Sequence, residues 1–228
     1  MNDRIWWHIA RSTGFVAWLA LALAMLTGGL LANRMVHRPA SIRRVVGLHR
    51  HLAAVGLGLV AVHLGALFAD NYVEFSVADL LVPFHSTWRP VALTWGIAGL
   101  ALLVVVEVSS LTPFRTGAVP PDPIAGRFTG ARSVGTRFAR RRLSKRTWRL
   151  VHQCSALGFA SATVHLLQAG TDASTLAVRL PVAAITVAVT FLYLARLVRL
   201  RSDRSSSIVL PQVTAPRHDQ RGGVRLMP

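Results

Sequence analysis

The sequence predicts an all-α integral membrane protein, a bundle of five transmembrane helices with its N-terminus outside and its C-terminus in the cytoplasm. Three observations predict it. Five apolar runs each approach the roughly 20 residues a helix needs to cross a hydrocarbon core of about 30 Å. Of 228 residues, 52% are hydrophobic and only nine are acidic. Basic residues gather almost wholly on one side of the runs.

The runs follow in order. The first covers about residues 14–32, after Trp6, Trp7 and His8, which read as an interfacial belt. The second covers about 48–69 and is interrupted by histidines. The third covers about 91–108. The fourth, about 150–167, carries histidines again, and the fifth is about 180–197. Together they make one membrane domain over residues 1–202. Between the second and third runs, residues 77–84 are apolar enough to lie at the interface. The Pro-, Gly- and Arg-rich stretch 112–137 reads as flexible, and the polar tail 203–228 as disordered. The N-terminus lacks the short apolar core and the cleavage site of a signal peptide.

Arginine sets the orientation. Residues 33–50 hold five basic residues, 109–149 hold ten and the tail from Arg196 seven, against four (Arg4, Arg11, Arg89, Arg179) on the other side. Excess Arg and Lys stays cytoplasmic. A net charge of +17 could suggest nucleic acid, but the cations lie between apolar spans, not on one face of a folded domain, so no nucleic-acid partner is expected. Only Lys145 is a lysine, as in a GC-rich bacterial genome. The lone Cys154 has no partner for a disulfide or a CxxC site.

Ionisable side chains inside a span are rare and mark function by default. His49 and His63 lie on the second run, His152 and His165 on the fourth. Both runs enter from the cytoplasmic side, so His49 and His152 share an inner level, and His63 and His165 an outer one. Spacings of 14 and 13 residues put the levels about 20 Å apart. Two haems at two depths, each with one axial histidine from each helix, fit this pattern. Zinc or copper would want its ligands converging on one point. Polar residues bonded to neighbouring helices are the plainer alternative. Fourteen residues return to within about 40° of the starting face, whereas His51 and His63 differ by about 120°, so His49 is the better ligand. Thirteen residues leave His165 well off the face of His152. A tilt, a bulge or a loosened turn near Gly158 has to correct this.

Leu48-His49-Arg50 with His63 downstream, Val82-Pro83-Phe84 through Trp88-Arg89-Pro90, Ser109-Ser110, and Arg146-Thr147-Trp148-Arg149-Leu150-Val151-His152 followed by His165 and Gly170-Thr171-Asp172 carry a resemblance. Over about residues 10–200 the chain resembles the ferric reductase-like transmembrane domain family of NADPH oxidases, ferric reductases and the haem subunit of a bacterial sulfoxide reductase system. The resemblance implies two haem b groups stacked across the membrane, His49 and His152 holding the inner one, His63 and His165 the outer. Family members often carry a C-terminal flavin and nicotinamide domain. About 30 residues follow the fifth run here, and no Gly-rich dinucleotide fingerprint follows a strand pattern, so a flavin is expected on a partner. Set against larger members of that family, the resemblance implies a bundle without their first helix and with an unusually long loop at 109–149.

Haem propionates need cationic partners. Arg50 and Arg149 stand beside the inner ligands, where ordinary positive-inside anchoring also explains them. Arg11 and Arg89 are candidates for the outer propionates, with snorkelling as the other reading. His85 is read as a solvated loop residue or an acceptor contact, His51 as a polar neighbour of the inner haem. The expected activity is electron transfer across a bacterial plasma membrane, as an oxidoreductase or its haem subunit. The donor is a cytoplasmic flavoprotein reductase or quinol. The acceptor is ferric iron, dioxygen or an extracytoplasmic redox protein. The alternative is a haem-free transporter or scaffold subunit in membrane lipid.

Overall fold

The computed structural model describes residues 5–71, 73–111 and 144–206. These form seven α-helices and one 3₁₀ turn: α1 (Ile5–Ala32), α2 (Pro39–Phe68), α3 (Val77–Leu81), α4 (Pro90–Leu111), α5 (Lys145–Gln153), α6 (Ser155–Ala169), the turn Thr171–Ser174, and α7 (Leu176–Ser206). Among the described residues there is no strand. Five helical stretches are long and apolar enough to cross a membrane: α1, α2, α4, α5 with α6, and α7. Their outward faces are apolar too, with Val187 and Phe191 about two-thirds exposed. That surface suits lipid, where backbone polar groups must be satisfied within each helix.

The helices begin where local chemistry allows. Arg38 is extended and Pro39 follows at the first helical position, where its missing N–H costs nothing. The Ser144 hydroxyl caps α5 by accepting from the Thr147 amide. The expected interfacial stretch 77–84 contains the short α3. There Ser76 and Asp79 form a reciprocal capping box. The Ser76 hydroxyl and amide and the His85 ring hold the half-buried Asp79 carboxyl down to about 2.

Helix ends run past the apolar limits. α2 starts at Pro39, about nine residues before its apolar run, and α7 continues through Ser206, into the expected tail. An apolar run ends where lipid ends, whereas Arg, Leu and Ser continue a helix at little cost. The flexible stretch expected at 112–137 and the tail beyond 206 lie outside the described residues.

α1 is the central helix. It packs on α2, α6 and α7, while α4 packs on α6. Small side chains make this possible: Ala10, Ala17, Ala20, Ala22 and Ala24 are all buried, letting backbones approach closely. Trp18 fills the centre, stacked on Phe159 at 5.9 Å, with its indole N–H donated to the Thr163 hydroxyl at 3.0 Å. α1–α2 and α4–α6 are thus two antiparallel pairs.

The fourth span is not one regular helix. The Cys154 amide bonds to the Val151 carbonyl, three residues back, which divides α5 from α6. Residues in such a tightened turn advance about 120° each instead of about 100°. This recovers part of the phase that thirteen residues lack. The irregularity lies at Cys154 and is tightened, where the sequence suggested loosening near Gly158. Gly158 stays helical, its amide donating to the Cys154 carbonyl at 3.0 Å, and its lack of a side chain lets α6 approach Leu102 and Gly99 of α4.

Candidate functional site

The four histidines meet in two pairs at two levels of the bundle. His49 of α2 faces His152 of α5, with ring centroids 6.0 Å apart. His63 of α2 faces His165 of α6, with centroids 6.4 Å apart. Two imidazoles on opposite sides of one metal ion, each bonded at about 2 Å, have centroids about 6.3 Å apart. His51 is exposed and belongs to neither pair. Among the described residues no three or more metal-ligating side chains converge. The facing histidines thus stand in twos, one pair at each level.

Three of the four rings are held from behind. The Nδ1 of His63 lies 2.7 Å from the Ala10 carbonyl, that of His49 2.9 Å from the Ala24 carbonyl, and that of His165 2.8 Å from the Ala92 carbonyl. A carbonyl only accepts, so Nδ1 carries the proton and Nε2 is left with a free lone pair, the form that could hold a metal. Metal-bound histidines are usually anchored in this way.

Each acceptor is the first residue of an Ala-x-x-x-Gly: Ala10 to Gly14, Ala24 to Gly28, Ala92 to Gly96. The ring lies against the glycine one turn on. A Cβ on Gly14 would stand 2.9 Å from the His63 Nδ1, one on Gly28 3.1 Å from the His49 Cε1, and one on Gly96 2.8 Å from the His165 Nδ1. The sequence reading missed these glycines. Their signal was present, since Gly14 and Gly28 have the same 14-residue spacing as His49 and His63, but small-x-x-x-small patterns ordinarily read as helix packing alone.

His152 differs. Its Nδ1 is buried without a hydrogen-bond partner among the described residues. It is steadied by Trp148, one turn earlier, whose ring stacks on it at 4.8 Å. Two more charged residues that sequence reasoning passed over lie at this end. Glu107, in the α4 span, lines the cavity between the pairs. Arg196 of α7 is within electrostatic reach of His152, and its Nε is buried without a hydrogen-bond partner among the described residues.

That cavity measures about 550 Å³ and is lined by all four histidines. Its wall is mostly apolar, with Ala17, Leu21, Leu100, Leu103 and Phe159 between the two levels. Trp7, Phe75 and Trp88 close one end by edge-to-face contacts at 5.9 Å. Of the four arginines singled out in the sequence, Arg11 lines the cavity and pairs with Asp172. Arg89 instead caps α6, donating to the Gln168 carbonyl at 2.6 Å with its guanidinium over Trp88. Arg50 and Arg149 are exposed at the opposite end. His85 pairs with Asp79 at 2.9 Å in the loop beside the Trp7 end.

The arrangement suits a flat apolar cofactor with a metal at its centre. Nitrogen ligands meet across the cavity, apolar walls lie between, and glycines leave room for the rings. Comparisons with protein-family models, with curated proteins and with solved structures each return no match.

Proposed function

We propose that the chain is a transmembrane electron conduit holding two haem b groups, one between His49 and His152 and one between His63 and His165. The observation that carries this reading is the pair of facing histidine couples, each at the separation of two imidazoles on one metal, about 21 Å apart in depth along α2. The resemblance to the ferric reductase-like transmembrane domain belongs to the same proposal. So does the orientation, with the arginine-rich end in the cytoplasm and the Trp7 end outside.

Haem, when bound, supplies one-electron chemistry. The chain's own residues do the rest. The Ala10, Ala24 and Ala92 carbonyls orient three ligand rings through Nδ1 and make Nε2 more basic. The apolar wall excludes water. Arg196 is added to Arg50 and Arg149 as a cation for propionates at the cytoplasmic end, and Arg11 serves the outer end. Electrons enter from a cytoplasmic flavoprotein reductase or from quinol. They leave near Trp7, Trp88 and the Asp79–His85 pair to ferric iron, dioxygen or an extracytoplasmic redox protein.

The deciding experiment is an absorption spectrum of the purified protein, oxidised and then reduced. Two low-spin haems per chain are expected. His63→Ala or His165→Ala should remove one of them, and His49→Ala or His152→Ala the other, while His51→Ala keeps both. A colourless wild-type protein would refute the reading and leave a haem-free transporter or scaffold.

A further inference from the structure

Four ligand rings but only three anchors leave one place in the bundle unaccounted for. α1 offers two Ala-x-x-x-Gly anchors, with glycines 14 residues apart. α4 offers one, at Ala92 and Gly96. Fourteen residues beyond Gly96 stands Ser110, so the fourth anchor would be the Val106 carbonyl. That carbonyl is already taken. It accepts the Ser109 hydroxyl at 2.7 Å and the Ser110 hydroxyl at 2.9 Å. Among the described residues, the His152 ring is left without an acceptor for its Nδ1.

The next residue along α4 is Glu107. α4 and α6 are antiparallel, with Gly96 against His165, Gly99 against Ala162 and Gly158 against Leu102. Continued, that register sets residues 107–109 opposite His152. Eleven residues bring Glu107 to within about 20° of the face of Gly96 and about 16 Å deeper. Its side chain lines the same cavity as His49 and His152. No hydrogen bond or ion pair joins it to another described residue. An ionised group inside a span is costly unless it is matched to a partner. Among the described residues an acceptor without a donor and a donor without an acceptor thus line one cavity near one level; the two are not hydrogen-bonded in this structure, and joining them takes a rotation of the Glu107 side chain.

We propose that Glu107 is the positioning residue for His152, its carboxylate accepting the Nδ1 hydrogen of that ring. The inference rests on the haem reading above and assigns a consequence to it. A carboxylate draws the proton more strongly than a carbonyl does and adds a negative charge. Both effects favour oxidised iron and lower the potential of the haem between His49 and His152. The rings of His63 and His165 have only neutral acceptors. Relative to a neutral acceptor, Glu107 favours transfer from the His49–His152 level to the His63–His165 level, against the opposite pull of Arg196, the cation within electrostatic reach of His152.

The test is a spectroscopically followed redox titration of the full-length haem-loaded protein, with electron paramagnetic resonance of the oxidised form. In Glu107→Gln the lower-potential step should move up toward the higher one, which stays fixed, and the g-values of one haem should change. Glu107→Asp, which keeps the charge on a shorter arm, should move the step by less. Should Glu107→Gln lose that haem, Glu107→Asp is decisive: altered g-values for one haem support the proposal. Steps and g-values unchanged in the variants, or movement of the higher step alone, would overturn it. A colourless wild-type protein would overturn the haem reading itself, a separate and visible outcome.

Discussion

A histidine ring can bind a metal from either nitrogen, and the chain settles which by occupying the other. Three alanine carbonyls do so here, and each requires the glycine one turn on, because the ring lies where a methyl group would be. Gly96→Ala should therefore turn the His165 ring and strain its bond to Ala92. Loss of one hydrogen bond costs about 1 kcal/mol, or roughly fivefold weaker retention of the haem proposed for the His63–His165 pair. Haem content per chain should fall for that pair alone. Gly58→Ala should change nothing, because a Cβ there meets nothing within 4 Å. His49 and His63 were legible from spacing alone, since fourteen residues nearly close four helical turns. His165 was not legible from rotation, because its phase depends on the turn at Cys154.

At the scale of elements, the bundle is held by shape and by a few polar contacts, since lipid supplies little hydrophobic drive between helices. Trp18 is the main tie between α1 and α6. It is 3% exposed and both stacks on Phe159 and donates to Thr163. Trp18→Phe keeps most of the packing and loses the hydrogen bond, so thermal unfolding in detergent should show a loss of about 1 kcal/mol. Trp95→Phe should be near neutral, because Trp95 is 40% exposed. The same tie fixes the distance between the histidine-bearing helices. α1 anchors the two histidines of α2 from one side and meets α6 from the other.

For the molecule as a whole, the two ends differ in chemistry. One carries Trp7, Phe75, Trp88 and the Arg11–Asp172 and Asp79–His85 pairs. The other carries Arg34, Arg38, Arg43, Arg44, Arg50, Arg149 and Arg196 on the ends of α2, α5 and α7 and on the turn before α2. Reporters fused after Asp172 should be active only outside, and reporters fused after Ser206 only in the cytoplasm. A reporter after Ser206 that is active outside would reverse the ends, and with them the levels called inner and outer.

The five spans were determined by sequence alone, because the need to bury backbone polar groups within each helix is local and leaves an apolar run as its mark. So were the two levels of histidine, which follow from residue count and helical rise. Which ring faces which, and what holds each ring from behind, was decided only by the tertiary structure. Those contacts join residues far apart in the chain, such as Ala10 with His63 and Ala92 with His165. The isolation of the His152 Nδ1 and the level of Glu107 also emerged only there. Both depend on the register of α4 against α6 and on a hydroxyl-filled carbonyl at Val106. A sequence records which groups a helix carries, but the partner of a group is set by the packing of a second helix against it.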